Sequence, residues 1–291
     1  MRSAKVEKHG QRILGRRRRR MRYASMMDLI VIKLGSNIVC DADGEIRSTV
    51  LDTVCEQIAE LQQGSNRVIM VTSGAIARGR HSLGIGDKPE DLAKLQACSA
   101  VGQGDLFRQY ERRLADRGIS TAQILLTSRD LELSIARDNT STTLSQLLEW
   151  GVVPVINEND TTSTAEITFG DNDLLAAEIS SLVNADMLLL LTNTDGVFSS
   201  DPREDPDAEL VPRITSPEQL KQVKVGASPS AHGSGGMASK LKAAAQACAV
   251  GTVTVICNGA DEQAITGAVC GKPSGTVICI PPDPPYQAHN R

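Results

Sequence analysis

Two lysines occur beside glycines in segments that could bind a phosphate group. Lys33 interrupts an apolar run and is followed by Gly35, and Lys240 ends the Gly-rich segment 233–240 (GSGGMASK). Glycine allows backbone N–H groups to approach an anion, and a lysine adds positive charge. A single lysine near a strand end often extends its ammonium group to solvent. Two lysines delivered to one place, however, would suit phosphoryl transfer, which depends more on charge neutralisation than on covalent chemistry.

Polar side chains are concentrated in three further segments. Residues 154–162 (PVINENDTT) carry amides and acids directly after an apolar run, and residues 169–173 (FGDND) carry more. A polar cluster at the mouth of a sheet can bind the ammonium and carboxylate groups of a small molecule. Each cluster could instead be a turn or a helix cap, as could Ser73 in the segment 71–79 (VTSGAIARG).

Two familiar nucleotide-binding patterns do not occur in this sequence. There is no G-x-x-x-x-G-K-[ST] segment, which marks P-loop NTPases. There is also no G-x-G-x-x-G or H-R-D motif, which together mark protein kinases. The sequence therefore argues against both of these classes.

Apolar runs alternate with helical periodicity from residue 28 onward, which is typical of an α/β protein with a largely parallel sheet. The predicted strands are 28–35, 67–74, 120–127, 152–157, 186–193, 252–259 and 276–280. The predicted helices are 47–63, 89–117 with an interruption at Gly102 and Gly104, 140–150, 173–184, one from the segment 233–240 to about Val250, and 261–269. A hairpin over 158–170 and a surface loop over 199–217 complete the assignment. Because ligands bind beyond the carboxyl ends of parallel strands, we expect the polar segments to meet at one edge of the sheet.

The composition limits the possible classes of function. Hydrophobic residues make up 41% of the 291 residues, yet there are only three Phe, three Tyr and one Trp. A core of Val, Ile, Leu and Ala suits strands buried on both faces, and few aromatics argue against nucleic-acid binding by stacking. The seven cysteines include no C-x-x-C pair, so neither a disulfide framework nor a zinc site is indicated. No apolar run reaches the roughly 18 residues of a membrane span.

Residues 1–27 form a basic segment with ten Arg or Lys and a single acid, Glu7. The run Arg16–Arg20 is typical of a disordered, solvated arm, although Arg-rich N-termini also resemble mitochondrial transit peptides or bind nucleic acid. We therefore expect a basic disordered tail over 1–27, one α/β domain over 28–281, and a disordered Pro-rich tail over 282–291.

Six segments, in order, resemble the amino-acid kinase family. They are 31–37 (VIKLGSN), 71–80 (VTSGAIARGR), 153–161 (VPVINENDT), 170–180 (GDNDLLAAEIS), 188–203 (LLLLTNTDGVFSSDPR) and 233–244 (GSGGMASKLKAA). The resemblance extends over about residues 29–280. It implies a three-layer αβα sandwich around a mainly parallel sheet. It also implies transfer of a phosphoryl group from ATP, with Mg²⁺, to the γ-carboxylate of L-glutamate.

The same resemblance implies a role for each matching residue. Lys33 and Lys240 would hold the transferred phosphoryl group from opposite sides, and Asp173 would position both lysines. The residues implied in glutamate binding are Ser73, Asp160 and Asn172, supported by Asn157 and Asp171. The residues implied in ATP binding are Lys33, Gly35, Thr192, Asn193, Ser234, Gly235, Gly236, Met237, Ala238, Ser239 and Lys240. Mg²⁺ would bridge the ATP phosphates, and no protein side chain is implied as its ligand.

The resemblance further implies a place in metabolism. The product would be L-glutamyl 5-phosphate, the first intermediate of proline biosynthesis, made in the cytoplasm. Glutamyl-phosphate reductase would consume it, and L-proline would act as a feedback inhibitor. A homo-oligomer, either a dimer or a tetramer, is implied as well, with no membrane partner.

Two features depart from the family pattern, and two alternatives stay open. Asn193 stands where many relatives have Asp, which removes a charge near the expected nucleotide site. We also expect no C-terminal PUA domain, an RNA-binding-type module that many bacterial relatives carry.

One alternative is another acceptor of the same family, such as N-acetylglutamate, carbamate, aspartate or UMP. The other is a catalytically inactive protein that senses an amino acid.

Overall fold

An eight-stranded sheet forms the centre of the described part of the protein. The computed structural model describes residues 28–162, 172–223 and 236–281. The strands are β1 (Leu29–Leu34), β2 (Arg67–Val71), β3 (Thr121–Leu126), β4 (Val153–Glu158), β5 (Met187–Thr192), β6 (Arg213–Ile214), β7 (Val253–Asn258) and β8 (Thr276–Ile278). The helices are α1 (Ser36–Val39), α2 (Ser48–Gln63), α3 (Ala75–Leu83), α4 (Leu92–Ala115), α5 (Ser128–Glu132), α6 (Ser134–Glu149), α7 (Asn172–Val183), α8 (Pro217–Gln222), α9 (Met237–Ala249) and α10 (Ala264–Val269).

The strands lie in the order β3-β4-β2-β1-β5-β7-β8-β6. Neighbouring strands are parallel except β7 and β8, which are antiparallel. β1 lies in the interior of the sheet between β2 and β5, and all six of its residues are buried. Interior parallel strands are covered on both faces, which explains the nearly continuous apolar runs of β1 and β5. The predicted, mainly parallel sheet is confirmed.

Helices on both faces of the sheet produce two hydrophobic cores. The first core includes Leu106 of α4, and the second includes Ile179 of α7. Ile32 of β1 belongs to the first core and its neighbour Val31 to the second, because successive side chains of a strand point to opposite faces. The protein is therefore the predicted three-layer αβα sandwich.

The long helix α4 differs from its prediction. The interruption predicted at Gly102 and Gly104 is wrong, since α4 is continuous over its 24 residues. A Cβ atom at Gly102 would lie 2.0 Å from the carbonyl oxygen of Ala75 in α3. Glycine at this position therefore permits close packing of two helices and does not break one.

Three smaller differences concern helix ends and loops. The helix predicted over 140–150 begins earlier, at Ser134. The prediction missed its first turns because they carry mainly exposed polar residues without apolar periodicity. The loop predicted over 199–217 contains β6, which pairs with β8, and leads into α8. Most of the hairpin predicted over 158–170 lies outside the described residues, as do both predicted tails.

Within the described ranges, no helix is both long and apolar enough to cross a membrane. All seven cysteines fall in these ranges as free thiols, and five of them are buried. Most of the cysteines are therefore small residues of the core.

Candidate functional site

The carboxyl end of β1 presents a buried ammonium group. Lys33 is the fifth residue of β1 and lies opposite Val71 of β2 and Leu190 of β5. Its Nζ lies 2.8 Å from Oδ1 of Asp173. A Cβ atom at Gly35 would lie 3.6 Å from Lys33 Nζ. The glycine thus leaves space beside the ammonium group.

Asp173 links Lys33 to a second buried lysine. Asp173 is the second residue of α7 and is fully buried. Lys240, in the first turn of α9, donates a hydrogen bond from Nζ to Oδ2 of Asp173 at 3.0 Å. Burial alone would raise the pKa of Asp173, but the charges of Lys33 and Lys240 outweigh it and hold the pKa below its usual value. Two cations positioned by one ionised carboxylate can stabilise a group that carries negative charge during a reaction.

Lys33, Asp173 and Lys240 form an ion cluster. An amide cluster of Ser73, Asn157 and Asn172 lies beside it. Asn172, the residue before Asp173, donates from Nδ2 to Ser73 Oγ at 2.9 Å and to Asn157 Oδ1 at 3.1 Å. Asn172 is 4% exposed, yet its Oδ1 accepts no hydrogen bond from the residues that the structure describes. A buried polar atom without a partner is costly, so Oδ1 of Asn172 is a candidate acceptor for a ligand donor such as an ammonium group.

Asp160 adds a carboxylate just beyond the end of β4. Its side chain is buried, and its Oδ2 accepts a hydrogen bond from Ser99 Oγ at 2.7 Å. Burial raises the pKa of Asp160 to about 6, the hydrogen bond from Ser99 opposes that rise, and the charge of Glu158 adds to it. A ligand ammonium group would stabilise the charged form of this buried carboxylate.

The turn between β2 and α3 requires glycine at one position. Gly74 has φ 107°, in the left-handed region, and precedes the first residue of α3. A side chain there would be strained, and its Cβ would lie 3.4 Å from Cys40 Sγ. This turn presents Ser73 to the amide cluster.

Two residues of α4 contact the site although no motif predicts them. Ser99 binds Asp160, and Gln103 accepts a hydrogen bond from Asn157 Nδ2 at 2.6 Å. They lie four residues apart, on one face of the helix. The only signal in the sequence is a pair of polar residues on a face that is otherwise apolar.

The predicted nucleotide-binding residues lie at the ends of β5 and α9. Thr192 ends β5 and is buried, whereas Asn193 is exposed. A nearby acid, Asp195, accepts a hydrogen bond from Asn258 Nδ2 at 2.9 Å. Gly236 precedes α9, and a Cβ atom there would meet no atom of residues 28–162, 172–223 or 237–281 within 4 Å.

Most of the predicted site residues are brought together at one edge of the sheet. Lys33 and Lys240 contact Asp173, and Ser73 and Asn157 contact the adjacent Asn172. Met237, Ala238 and Ser239 form the first turn of α9 with Lys240. Asp171, Ser234 and Gly235 lie outside the described residues.

The side chains fit Mg²⁺ only as part of a nucleotide complex. Among the described residues, no group of three or more His, Cys, Asp or Glu side chains could hold a metal ion. The central carboxylate, Asp173, is occupied by two lysines. Mg²⁺ takes oxygen ligands and readily keeps water and phosphate oxygens in its shell. The arrangement suits an ion carried by the phosphates of the nucleotide.

Comparisons with known proteins agree on one family. The model of the amino acid kinase family matches residues 28–258. Glutamate 5-kinase from Pelobacter propionicus is 40% identical over 249 residues, which cover 86% of this chain and 67% of that protein. The same enzyme from Prochlorococcus marinus is 39% identical over 259 residues, covering 89% and 72%. That from Trichlorobacter lovleyi is 42% identical over 249 residues, covering 86% and 66%. The chain thus spans about two thirds of the length of these relatives.

The fold also resembles a solved structure. An X-ray structure of isopentenyl phosphate kinase superposes with a TM-score of 0.59, covering 86% of this chain and 99% of that one. The two sequences are 20% identical. At this level of identity the likeness shows a common fold.

Proposed function

The chain belongs to the amino acid kinase family, and on that premise we propose that it transfers the γ-phosphoryl group of ATP to the γ-carboxylate of L-glutamate. The observation that carries this proposal is the fully buried Asp173, which holds Lys33 and Lys240 beside a pocket of amide, hydroxyl and carboxylate groups. The lysines suit a phosphoryl group, and the pocket suits an amino acid. The glutamate 5-kinases described above support this acceptor.

The chemistry requires alignment and charge neutralisation. A γ-carboxylate oxygen of glutamate forms a bond to the γ-phosphorus of ATP, the bond from that phosphorus to the bridging oxygen breaks, and ADP leaves with the electron pair. The carboxylate is already a nucleophile, so no general base is needed. Lys33 and Lys240 stabilise the negative charge on the transferred group, while the pocket holds the acceptor in line. When bound, Mg²⁺ supplies further charge neutralisation at the ATP phosphates.

The amide cluster and Asp160 would recognise the amino-acid part of the substrate. In this proposal the ammonium group donates to the Asp160 carboxylate and to Oδ1 of Asn172, an atom with no partner among the described residues. Ser73 and Asn157 fix the orientation of Asn172, because both bind its Nδ2. Asp171 is proposed to support the same pocket.

The remaining parts of the proposal concern the nucleotide and the pathway. Gly35, Thr192, Asn193 and the residues 234–240 bind ATP. The product, L-glutamyl 5-phosphate, is a reactive acyl phosphate, so we propose that a glutamyl-phosphate reductase consumes it in the cytoplasm on the route to proline. We propose also that L-proline inhibits the enzyme and that it forms a homo-oligomer. Basic residues 1–27, a domain over 28–281 and a tail over 282–291 complete the proposed organisation.

A panel of acceptors tests the proposed reaction. ADP release is measured with L-glutamate, L-aspartate, N-acetylglutamate, carbamate and UMP at equal concentrations. We expect release with glutamate that exceeds release with every other acceptor. Turnover confined to one of the other acceptors, or none with any acceptor while glutamate still binds, would overturn the proposal. The second result would favour an amino-acid sensor.

A further inference from the structure

Two polar residues of α4, Ser99 and Gln103, lie behind the pocket proposed for glutamate. Ser99 is 2% exposed and donates from Oγ to Asp160 Oδ2, which leaves Oδ1 for another donor. Gln103, one turn later, accepts from Asn157 Nδ2, which leaves Asn157 Oδ1 directed at Asn172. Ser99 thus leaves Asp160 Oδ1 for another donor, and Gln103 holds the Asn157 amide so that its Oδ1 accepts from Asn172.

The position of α4 is fixed against α3 by contacts that tolerate no side chain. A Cβ atom at Gly79 of α3 would lie 1.7 Å from the carbonyl oxygen of Cys98, the residue before Ser99. A Cβ atom at Gly102, the residue before Gln103, would lie 2.0 Å from the carbonyl oxygen of Ala75. Two backbone contacts therefore lie immediately beside the two polar residues, and they hold both at a defined distance from the pocket.

We propose that Ser99 and Gln103 are positioning residues for the acceptor substrate: Ser99 orients the carboxylate of Asp160, and Gln103 orients the amide of Asn157. Neither residue touches the reacting atoms. This inference rests on the proposed function, because it places glutamate in the pocket that these residues support. It adds to that pocket two supporting residues that lie outside the six segments that resemble the family.

The role of Ser99 has a consequence that a purely structural hydrogen bond would lack. A donor to an ionised carboxylate favours its charged form, and this bond opposes the upward shift in the pKa of Asp160 caused by burial. Without the Ser99 hydroxyl, Asp160 ionises at a higher pH. Gln103 contacts a neutral amide, so its loss should weaken glutamate binding without shifting the pKa of Asp160.

Ser99→Ala and Gln103→Ala test this inference, with Ser180→Ala as the matched control. Ser180 is a fully buried helix serine whose Oγ donates only to its own helix, to the carbonyl of Ala176 at 2.7 Å. For each variant, KM for glutamate and KM for ATP are measured across pH 5 to 9, roughly the range over which the protein is expected to stay folded. Thermal unfolding checks that each variant is folded.

Ser99→Ala is expected to raise KM for glutamate about tenfold, the usual effect of losing a hydrogen bond to a charged group, and KM for ATP less than about twofold. The midpoint of kcat/KM for glutamate should move to higher pH. Gln103→Ala should raise KM for glutamate by about threefold with the midpoint unchanged. Ser180→Ala should change none of these.

Two results would overturn the inference. One is a Ser99→Ala variant that is folded and keeps both the wild-type KM for glutamate and the wild-type midpoint. The other is an equal change in both KM values, which would indicate a general loss of structure. Failure of the proposed function is distinct, since wild-type protein would then not phosphorylate glutamate, and the assignment of Ser99 and Gln103 would fail with it.

Discussion

Gly102 lies so close to Ala75 that α4 and α3 are in backbone contact at this point. A Cβ atom at Gly102 would lie 2.0 Å from the Ala75 carbonyl oxygen and 2.5 Å from the backbone nitrogen of Gly79. Backbone cannot move aside as a flexible side chain can, so the helices would have to separate. We expect Gly102→Ala to lower the free energy of unfolding by about 1–3 kcal/mol, measured by urea unfolding, and to raise KM for glutamate.

Gly104 in the same helix provides the control for this prediction. A Cβ atom there would meet only the end of the Arg108 side chain, 3.7 Å away. Because alanine has a higher helix propensity than glycine, Gly104→Ala should stabilise the protein by up to about 1 kcal/mol. Equal effects of the two substitutions would contradict the idea that close helix packing explains the glycine at position 102.

Removal of one lysine of the ion cluster should abolish most of the catalysis. Lys240→Ala deletes an ammonium group that is proposed to stabilise the transferred phosphoryl group. Loss of one such electrostatic group typically lowers kcat about 10²–10³-fold. Lys242, two residues later on the same helix, is exposed, so Lys242→Ala should leave kcat unchanged. Unchanged turnover in the Lys240 variant would refute its role, and steady-state ADP release measures both.

Asp173 should contribute strongly to stability as well as to catalysis. Asp173→Asn leaves two buried ammonium groups without their shared counter-charge, and loss of one member of a buried ion cluster typically costs about 3–5 kcal/mol. Asp28, which pairs with Arg67 at 2.9 Å on the surface, is the control, and Asp28→Asn should cost about 0–1 kcal/mol.

The pH dependence of this stability difference has a definite sign. The folded pKa of Asp173 is lowered, so its contribution is present above the unfolded pKa, about 3.9, and is lost as the pH falls through the folded pKa. Urea unfolding of wild type and Asp173→Asn should therefore differ from pH 5 to 8 and converge only in stronger acid. A difference that disappears near pH 6 would show that another group is responsible.

Asp160 should behave in the opposite way. Burial raises its folded pKa from 3.8 to about 6, so the folded state binds a proton more readily and stability falls as the pH rises through this window. Asp160→Asn removes this cost, which at about 1.4 kcal/mol per pKa unit corresponds to about 1–3 kcal/mol. Above pH 7 the variant should unfold at a higher temperature than wild type, with the difference shrinking below pH 6.

The same substitution should harm substrate binding. If the Asp160 carboxylate pairs with the ammonium group, kcat/KM for glutamate in the wild type should rise with pH through about 6 and then level off. Asp160→Asn should raise KM for glutamate at least about tenfold and abolish that rise. If the variant is both more stable and less active, the wild-type protein keeps Asp160 for substrate binding at a cost in folding stability. A pH profile identical to that of wild type would exclude Asp160 as the titrating group.

Much of the architecture could be predicted because buried parallel strands appear as apolar runs in the sequence. The polar residues that end those runs, such as Lys33 and Asn157, had to meet at one edge because parallel strands share a direction. The contacts of helix α4 could not be predicted in the same way. Periodicity shows which face of a helix is buried but not what it contacts, so two polar residues on the buried face of α4 did not identify Asp160 as the partner of Ser99. For the same reason, Gly102 looks identical in sequence whether it breaks a helix or admits a neighbour.

The ion cluster also has a consequence for the synthesis of the protein. Lys33 and Lys240 are 207 positions apart with Asp173 between them, and the ribosome adds the three residues in that order. A nascent chain that has not yet reached α9 already contains the central strand and Asp173, but it lacks the second cation, strands β7 and β8, and helices α9 and α10. On the proposed role of Lys240, phosphoryl transfer requires that translation has passed α9, so turnover would report that this part of the sandwich is present and folded.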